Sequence, residues 1–427
     1  MITARAFAGK HYAVYGLARS GVATVEALLA SDAKVTAWDA KEEARSKAPA
    51  GTVLADLDTA DLAQFDSLVV TPGLPLNRHP IAQRARVAGV EIIGDIELFA
   101  RARPELPPHK VVGITGTNGK STTTALVHHI LQTAGVPSEM GGNIGLPILA
   151  QDPLPEGGVY VLELSSYQID LTQSLDCDVA VLLNITPDHL DRYESFEAYA
   201  ASKARLFQMQ SPDHLSLYEG LSPPGFLDET EPAENWIAYI DDIVIPDESQ
   251  RRWPALQGPH NLQNAKAATA ICLALGVPAR FLIEGERTYP GLPHRMERMR
   301  DKDGVVFVND SKATNPTATA PALAAFECIR WICGGQAKTD NLDECAPHFG
   351  HVRKAYTIGE AGELFAKLLS PHMSVAECQT LERAVGAAAA EAEAGDTVLL
   401  SPACASFDQF RDFEDRGDQF KRLVGAL

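Results

Sequence analysis

Basic residues are scarce in this chain. Its 427 residues hold 37 Lys and Arg against 56 Asp and Glu, a formal charge of −19 with a pI near 5.0. A surface of that sign repels a nucleic-acid backbone, which argues against nucleic acid as a partner but leaves room for a small anion in a local basic pocket. Aromatics make up only 7% beside 45% hydrophobic residues, the balance of Ala- and Val-rich α/β layers rather than of an all-β protein. No run of about 18 apolar residues occurs, and the opening MITARAFAGKHY has no signal-peptide core. A soluble, cytoplasmic chain without membrane insertion is expected. The seven cysteines (Cys177, Cys272, Cys328, Cys333, Cys345, Cys378, Cys404) include no C-x-x-C pair, and their odd number and scatter predict reduced, buried thiols. There is no internal repeat, and no low-complexity tract beyond one alanine-rich helix.

What the chain does have is a glycine-rich turn in a telling place. Val111 to Ser121 reads VVGITGTNGKS, an apolar run and then a turn that closes on Lys120 and Ser121. Such a turn aims successive N–H groups into one concavity, and the helix after it adds the positive end of its dipole, so a polyphosphate fits there. The strict spacing G-x-x-x-x-G-K-[ST] puts its first glycine at position 114, where Ile114 stands with Gly113 one place early, so the loop is a variant. Val111 to Thr115 predicts a buried strand before it. Val127, Ile130, Leu131 and Ala134 recur at helical spacing after it, up to Gly135. A helix terminus offers an anion at most ~2 kcal/mol, whereas enzymes lower barriers by ~8–23 kcal/mol. Catalysis therefore asks Lys120 to spread charge over the β- and γ-phosphates, Ser121 to ligate Mg²⁺, and further carboxylate or imidazole ligands to come from downstream.

At ~100–200 residues per domain, three domains are expected. Lys10 to Tyr15 and Lys34 to Trp38 predict strands flanking the turn Gly16 to Gly21, with Asp39 at the carboxyl end of the second, the start of a doubly wound fold. Ala18 stands where G-x-G-x-x-G needs its second glycine, which argues against a dinucleotide dehydrogenase. A strand from Leu68 to Thr71 ends at Pro72-Gly73, and Arg103 to His109 predicts a linker that ends the first domain near residue 100. In the central region Val159 to Leu164 delivers Glu163, and Val179 to Asn184 precedes a turn with His189. Ligands bind at the carboxyl ends of parallel strands, so both residues are expected to face the crevice of Lys120. Lys203 falls in the helical pattern Phe196 to Met209, where the pattern alone makes it a solvated surface lysine. Residues 211–257 read as surface excursions. Asn261 and Asn264 open a helix and either cap it or contact a nucleotide. Gly291 to Arg295 marks a second boundary, followed by strands at Val305 to Asn309, Arg330 to Cys333, Ala355 to Ile358 and Thr397 to Leu400.

GTNGKS, LELSSYQ, NITPDHLDRY, HNLQNA, GLPHR, NDSKATN and LSPACASFDQF follow in this order from Gly116 onward. Together they resemble the Mur ligase family, and the resemblance covers most of the chain, from Gly16 to Phe413. It implies three α/β domains: a Rossmann-like UDP-substrate domain (1–100), a central P-loop ATPase-type domain (101–292) and a Rossmann-like amino-acid domain (293–427). Arg19, Ser20, Asp39, Ala40, Lys41 and Gly73 match positions that hold the uridine diphosphate, although Ala40 stands where a hydroxyl residue is expected. Asn143 and Ser165 match positions further along that substrate. Thr117, Asn118, Gly119, Lys120, Ser121, Thr122 and Thr123 match the ATP loop, with Asn261, Asn264, Arg295 and Asp310 around the nucleotide. Ser121 and Glu163 match one Mg²⁺ site and His189 another. Lys203 matches a lysine that the family carries as a metal-binding carbamate, which replaces the solvated reading. Lys312, Thr314, Lys338, Ser406 and the backbone near Phe413 match positions around the reacting phosphate and the amino acid's carboxylates.

The resemblance implies an ATP- and Mg²⁺-dependent ligase acting as a monomer in peptidoglycan precursor synthesis. Its last two motifs point to the member that adds D-glutamate to UDP-N-acetylmuramoyl-L-alanine through an acyl phosphate. A folylpolyglutamate synthase is the enzymic alternative, but its loop reads lysine-glycine-serine where Ser121 here follows Lys120 directly. A GTPase switch would need an N-K-x-D motif, which is missing. A non-catalytic nucleotide-sugar binder would be expected to lack Lys120, Glu163 or His189, and all three are present.

Overall fold

Short apolar runs, each closed by glycine, proline or a polar turn, become the strands of three sheets. The computed structural model describes residues 1–186, 188, 192–220 and 236–427. These separate into two compact units, residues 1–245 with 264–285 and residues 246–263 with 286–427.

The first unit holds two parallel sheets. The first sheet consists of β1 (His11–Tyr15), β2 (Lys34–Trp38), β3 (Val53–Leu54), β4 (Ser67–Val70) and β5 (Glu91–Ile93), in the order β3-β2-β1-β4-β5. The second consists of β6 (His109–Thr115), β7 (Ser138–Gly142), β8 (Gly158–Glu163), β9 (Val179–Leu182), β10 (Leu215–Tyr218) and β11 (Trp236–Tyr239), in the order β11-β10-β9-β6-β8-β7. Strands such as β6 and β8 are buried on both faces because helices cover them, and so they read as continuous apolar runs. In each sheet the chain leaves its central strand in opposite directions, which opens a crevice at the carboxyl ends of β1 and β4 and of β6 and β9.

The second unit holds β12 (Glu297–Lys302), β13 (Val305–Asn309), β14 (Ile329–Gly334), β15 (Val352–Ile358), β16 (Ser374–Gln379) and β17 (Thr397–Leu400), in the order β12-β13-β17-β14-β15-β16. Only the edge strand β12 runs antiparallel. Trp331 lies at the centre of this unit's core, fully buried, with its indole Nε1 donating to Ser401 O at 2.7 Å.

The α/β expectation holds, with one local correction. Residues 211–257 are not all surface excursion, because β10 pairs in parallel with β9 and β11 with β10, extending the central sheet. Their four-residue length and the polar turns around them hide the strand pattern. The stretch from Arg103 is a 3-10 turn, Arg103–Glu105, that runs into β6. All seven cysteines are free thiols, and only Cys328 is less than fully buried. Among the described residues no helix is long and apolar enough to cross a membrane.

Trp331→Ala removes a fully buried indole and leaves Ser401 O without its donor. The expected cost is about 3–5 kcal/mol, read as earlier unfolding of the second unit in a denaturant titration; an unchanged midpoint would contradict this placement of the core.

Candidate functional site

At the first sheet's crevice the turns are shaped by one carboxylate. Asp39 accepts from Leu17 N at 2.8 Å and from Lys41 N at 2.9 Å, which ties together the chain leaving β1 and β2. Arg45 donates to Asp39 O and Ala40 O and lies 4.5 Å over the Trp38 ring. Arg19 and Ser20 begin the helix Arg19–Ala30, whose N-terminus suits an anion. Exposed Gly73 sits in the turn after β4, across the same crevice. Arg192 donates to Leu74 O in that turn at 3.0 Å and stacks 4.1 Å over Tyr167, a contact not foreseen from sequence.

At the second crevice the glycine-rich loop bridges β6 and the helix Lys120–Thr133. Gly119, the residue before the helix, has φ +84, and a Cβ there would lie 2.3 Å from Asn264 Oδ1, so glycine alone fits. The loop is clamped by the chain after β9. Asn118 N donates to Asn184 Oδ1 at 2.8 Å, Asn184 Nδ2 donates back to Asn118 O, and Thr186 N donates to Thr117 Oγ1 at 3.0 Å. Asn184 thus holds the loop open. It was missed because an asparagine after a strand reads as a turn residue. Ser121 and Thr123 are buried at the helix start, with Thr122 half-buried between them. Thr123 Oγ1 lies 3.4 Å from Asn264 Oδ1.

Register removes the capping alternative for Asn261 and Asn264. The helix runs Pro259–Ala274, so both asparagines lie inside it and neither caps its start. Asn261 Nδ2 donates to Gln257 O at 3.0 Å, while Asn264 faces the loop.

Two lysines meet at this loop. Lys120 Nζ donates to Gly116 O at 2.9 Å and Thr117 O at 2.8 Å; Lys203 Nζ donates to the same Gly116 O at 3.0 Å and to Thr115 Oγ1 at 3.3 Å. Lys203 is 1% exposed, in the helix Phe196–Gln208, so the solvated reading of the bare pattern is wrong. Tyr199, Leu206 and Phe207, at its own helical spacing, are buried with it. Burial first, and the Lys120 charge second, push its ammonium down to about 7, against the pull of Asp188 and Asp170.

Glu163 ends β8, which pairs directly with β6. It is 2% exposed; its Oε1 accepts from Asn143 Nδ2 at 2.9 Å, while Oε2 is buried with no hydrogen-bond partner among the described residues. A buried carboxylate oxygen with no hydrogen-bond partner suits a hard divalent cation such as Mg²⁺. Among the described residues no cluster of three His, Cys, Asp or Glu forms a complete cage, so phosphate oxygens would have to complete the shell, as Mg²⁺ commonly requires. His189 lies outside the described residues. Ser165 caps the helix Ser166–Asp170 in a capping box with Gln168.

The second unit gathers its predicted residues at the ends of β13, β14 and β17. Asp310 accepts from Ser401 Oγ at 2.7 Å and Met296 N at 3.1 Å, and burial pushes its carboxyl up to about 7. Half-buried Arg295 is close enough to oppose that shift. Lys312 Nζ lies 3.7 Å over the Phe413 ring, and Ser311 Oγ donates to Phe413 O at 2.8 Å. Lys338 Nζ reaches Thr314 Oγ1 at 3.5 Å. Buried Ser406 accepts from Phe410 N through its carbonyl. Fully buried Arg416, which the sequence did not single out, binds these loops together. It donates to Ser311 Oγ at 2.9 Å, Ser311 O at 2.8 Å and Cys404 O at 3.1 Å.

Comparison with known proteins follows the same divisions. The description "Mur ligase MurD-like, N-terminal domain" matches residues 10–94, "Mur ligase middle domain" residues 114–223, and "Mur ligase, glutamate ligase domain" residues 294–404. The chain is 60% identical to the UDP-N-acetylmuramoylalanine--D-glutamate ligase of Novosphingobium aromaticivorans, over 100% of this chain and 97% of that one. It is 57% identical to the enzyme of the same name from Sphingopyxis alaskensis, over 100% of both chains. Among solved structures, the UDP-N-acetylmuramate-alanine ligase MurC of Thermotoga maritima shares the fold at TM-score 0.59 and 15% identity, over 98% of this chain and 99% of that one.

Lys203 provides a stability test. Its folded value of about 7 lies below the ordinary 10.5, so between those pH values the folded protein binds fewer protons than the unfolded chain. Stability gained from this group therefore rises by ~1.4 kcal/mol per pH unit across that window, and its cost is fully present below it. In CO₂-depleted buffer Lys203→Met is expected to be more stable than the wild type at pH 6.5, with the gap closing toward pH 10 in urea unfolding. A gap independent of pH would show that Lys203 is not held in this way.

Proposed function

The chain belongs to the Mur ligase family, and on that premise we propose that it joins D-glutamate to UDP-N-acetylmuramoyl-L-alanine, with cleavage of ATP to ADP and phosphate, in peptidoglycan precursor synthesis. One observation carries the reading of the site: the Nζ atoms of Lys120 and Lys203 converge on Gly116 O, at the end of the strand that pairs with the one ending in Glu163. Positive charge gathered at a strand end is what a transferring phosphoryl group requires.

A free carboxylate does not acylate an amine because oxide is too poor a leaving group. The alanyl carboxylate instead attacks the γ-phosphorus of ATP, ADP departs, and an acyl phosphate results. The D-glutamate amine adds to the acyl carbon; the tetrahedral intermediate loses a proton from nitrogen and expels phosphate, leaving the amide. Lys120 neutralises charge on the β- and γ-phosphates, and the loop N–H groups orient them. Lys312, held over Phe413, is assigned to the transferring phosphoryl group. Mg²⁺, held through Ser121 and Glu163 and at a second position through His189 and Lys203, would neutralise phosphate charge when bound.

Lys203 serves that second position as a carbamate. Its neutral amine adds to CO₂ to give a carbamate and one proton, and its low proton affinity supplies that amine near neutral pH. We assign Arg19, Ser20, Asp39, Lys41 and Gly73 to the uridine diphosphate, Asn143 and Ser165 to the rest of that substrate, and Asn261, Asn264, Arg295 and Asp310 to the nucleotide. Thr314, Lys338, Ser406 and the Phe413 backbone take D-glutamate. We propose domain limits of 1–100, 101–292 and 293–427, and a single cytoplasmic copy is taken as the working unit.

Phosphate release from Mg²⁺ and ATP with UDP-N-acetylmuramoyl-L-alanine tests this reading. Turnover is expected with D-glutamate and not with L-glutamate or without an amino acid. Lys120→Ala is expected to lower it by about 10³-fold, the scale of losing a charge-stabilising group in the transition state, with an unchanged circular dichroism spectrum. Turnover with folate substrates in place of the UDP compound, or an active Lys120→Ala variant, would overturn it.

A further inference from the structure

Glu163 is grasped by a single neighbour in a way that its role as a strand-end acid does not require. Gly142 ends β7 and pairs with Glu163 on β8; its φ is +83, and a Cβ there would lie 2.1 Å from Glu163 O. The two backbones therefore touch where any other residue would hold them apart. Asn143, next in the chain, donates its N–H to Glu163 O at 2.8 Å and its side-chain Nδ2 to Glu163 Oε1 at 2.9 Å. Held at carbonyl and carboxylate together, Glu163 cannot turn, and its Oε2 is the oxygen left open. An amide donor fixes the carboxylate's direction without cancelling its charge, as an arginine or lysine in its place would.

The loop that carries Asn143 is pinned a second time. Gly145 O, two residues on, accepts from Arg19 Nη2 at 3.0 Å. Arg19 is the first residue of the helix that follows β1 at the first sheet's crevice, whose N-terminus suits an anion. Gln151 Nε2 anchors the loop's far end at Leu146 O, 3.0 Å away. Arg19 thus stands at the helix start of the first crevice while its guanidinium holds the loop that carries Asn143.

We propose that Asn143 is a positioning residue for Glu163, and that Arg19, through Gly145 O, couples metal binding at Glu163 to occupation of the diphosphate cradle. This rests on the proposed reading of both sites. Coupling of this kind is reciprocal: the diphosphate tightens the metal by the factor by which the metal tightens the diphosphate. An ordered loop reaches the enzyme with its uridine substrate in place, so the metal is set for phosphoryl transfer only when there is a carboxylate to receive it.

Mn²⁺ binding tests the proposal without turnover. Free Mn²⁺ is followed by electron paramagnetic resonance on the full chain with a non-hydrolysable ATP analogue, with and without UDP. In the wild type UDP is expected to tighten Mn²⁺ severalfold. Asn143→Ala is expected to weaken Mn²⁺ by about tenfold, the scale for losing a group that orients a metal ligand. Arg19→Met, a change at an exposed position, is expected to weaken Mn²⁺ two- to fivefold even with no uridine ligand present, and to abolish the effect of UDP. A residue that only bound diphosphate would leave the UDP-free Mn²⁺ affinity unchanged, and that result overturns the coupling while the diphosphate assignment stands. UDP affinity unaltered in Arg19→Met would instead remove the diphosphate assignment. If Asn143→Ala melts early, Asn143→Gln replaces it, with weakened Mn²⁺ binding again expected and wild-type affinity contradicting the positioning role.

Discussion

Two ammonium groups share one carbonyl oxygen, and the arrangement of the first unit's site follows from that constraint. Lys120 approaches Gly116 O from the helix that follows the loop, and Lys203 approaches it from a different helix, out of a fully buried position. Like charges this near repel, and the low dielectric around Lys203 sharpens the cost. The protein answers by lowering the proton affinity of the buried one and by aiming both at a loop rich in N–H donors. The site is thereby prepared for anions. On the proposed reading, a polyphosphate would relieve the repulsion at Lys120, and a carbamate at Lys203 would convert the second cation into an oxygen donor. Glu163 has one oxygen fixed by Asn143 and one without a hydrogen-bond partner among the described residues.

The three sheets serve this chemistry by the same device. Each turns its chain order around at an inner strand, and each presents polar loops at that reversal, after β1 and β4, after β6 and β9, and after β13, β14 and β17. The loops are held by side chains that do no chemistry: Asp39 in the first, Asn184 in the second, Arg416 in the third. Each satisfies backbone donors or acceptors that would otherwise be stranded in a half-buried turn. Reactive groups then sit on short, braced segments at the rim of rigid sheets, which keeps their geometry from depending on loop entropy.

Much of this was legible because it is local. Continuous apolar runs gave the positions of β2, β13 and β17, and the glycine-rich loop announced its own conformation through Gly116, Gly119 and the lysine and serine that follow. Short or half-polar strands were harder. β10 reads LSLY and β11 reads WIAY, too brief for periodicity; β10 becomes a strand because β9 offers an edge to pair with, and β11 because β10 does. Lys203 carried a signal that went unread: Tyr199, Leu206 and Phe207 stand three or four places away, on the face that turns inward, so a lysine among them had to be buried or snorkel. Asn184 and Arg416 work through contacts 66 and 105 residues distant in sequence, and no local pattern reports such contacts.

The most direct test of the account is the path of one oxygen atom. UDP-N-acetylmuramoyl-L-alanine labelled with ¹⁸O in the alanyl carboxylate is turned over with ATP, Mg²⁺ and D-glutamate, and the released phosphate is weighed by mass spectrometry. If the loop and its lysines direct the γ-phosphoryl group onto that carboxylate, one labelled oxygen leaves in each phosphate. Phosphate carrying no label while the amide forms would mean that the carboxylate is activated in some other way, and the role assigned to the Gly116 loop would be wrong.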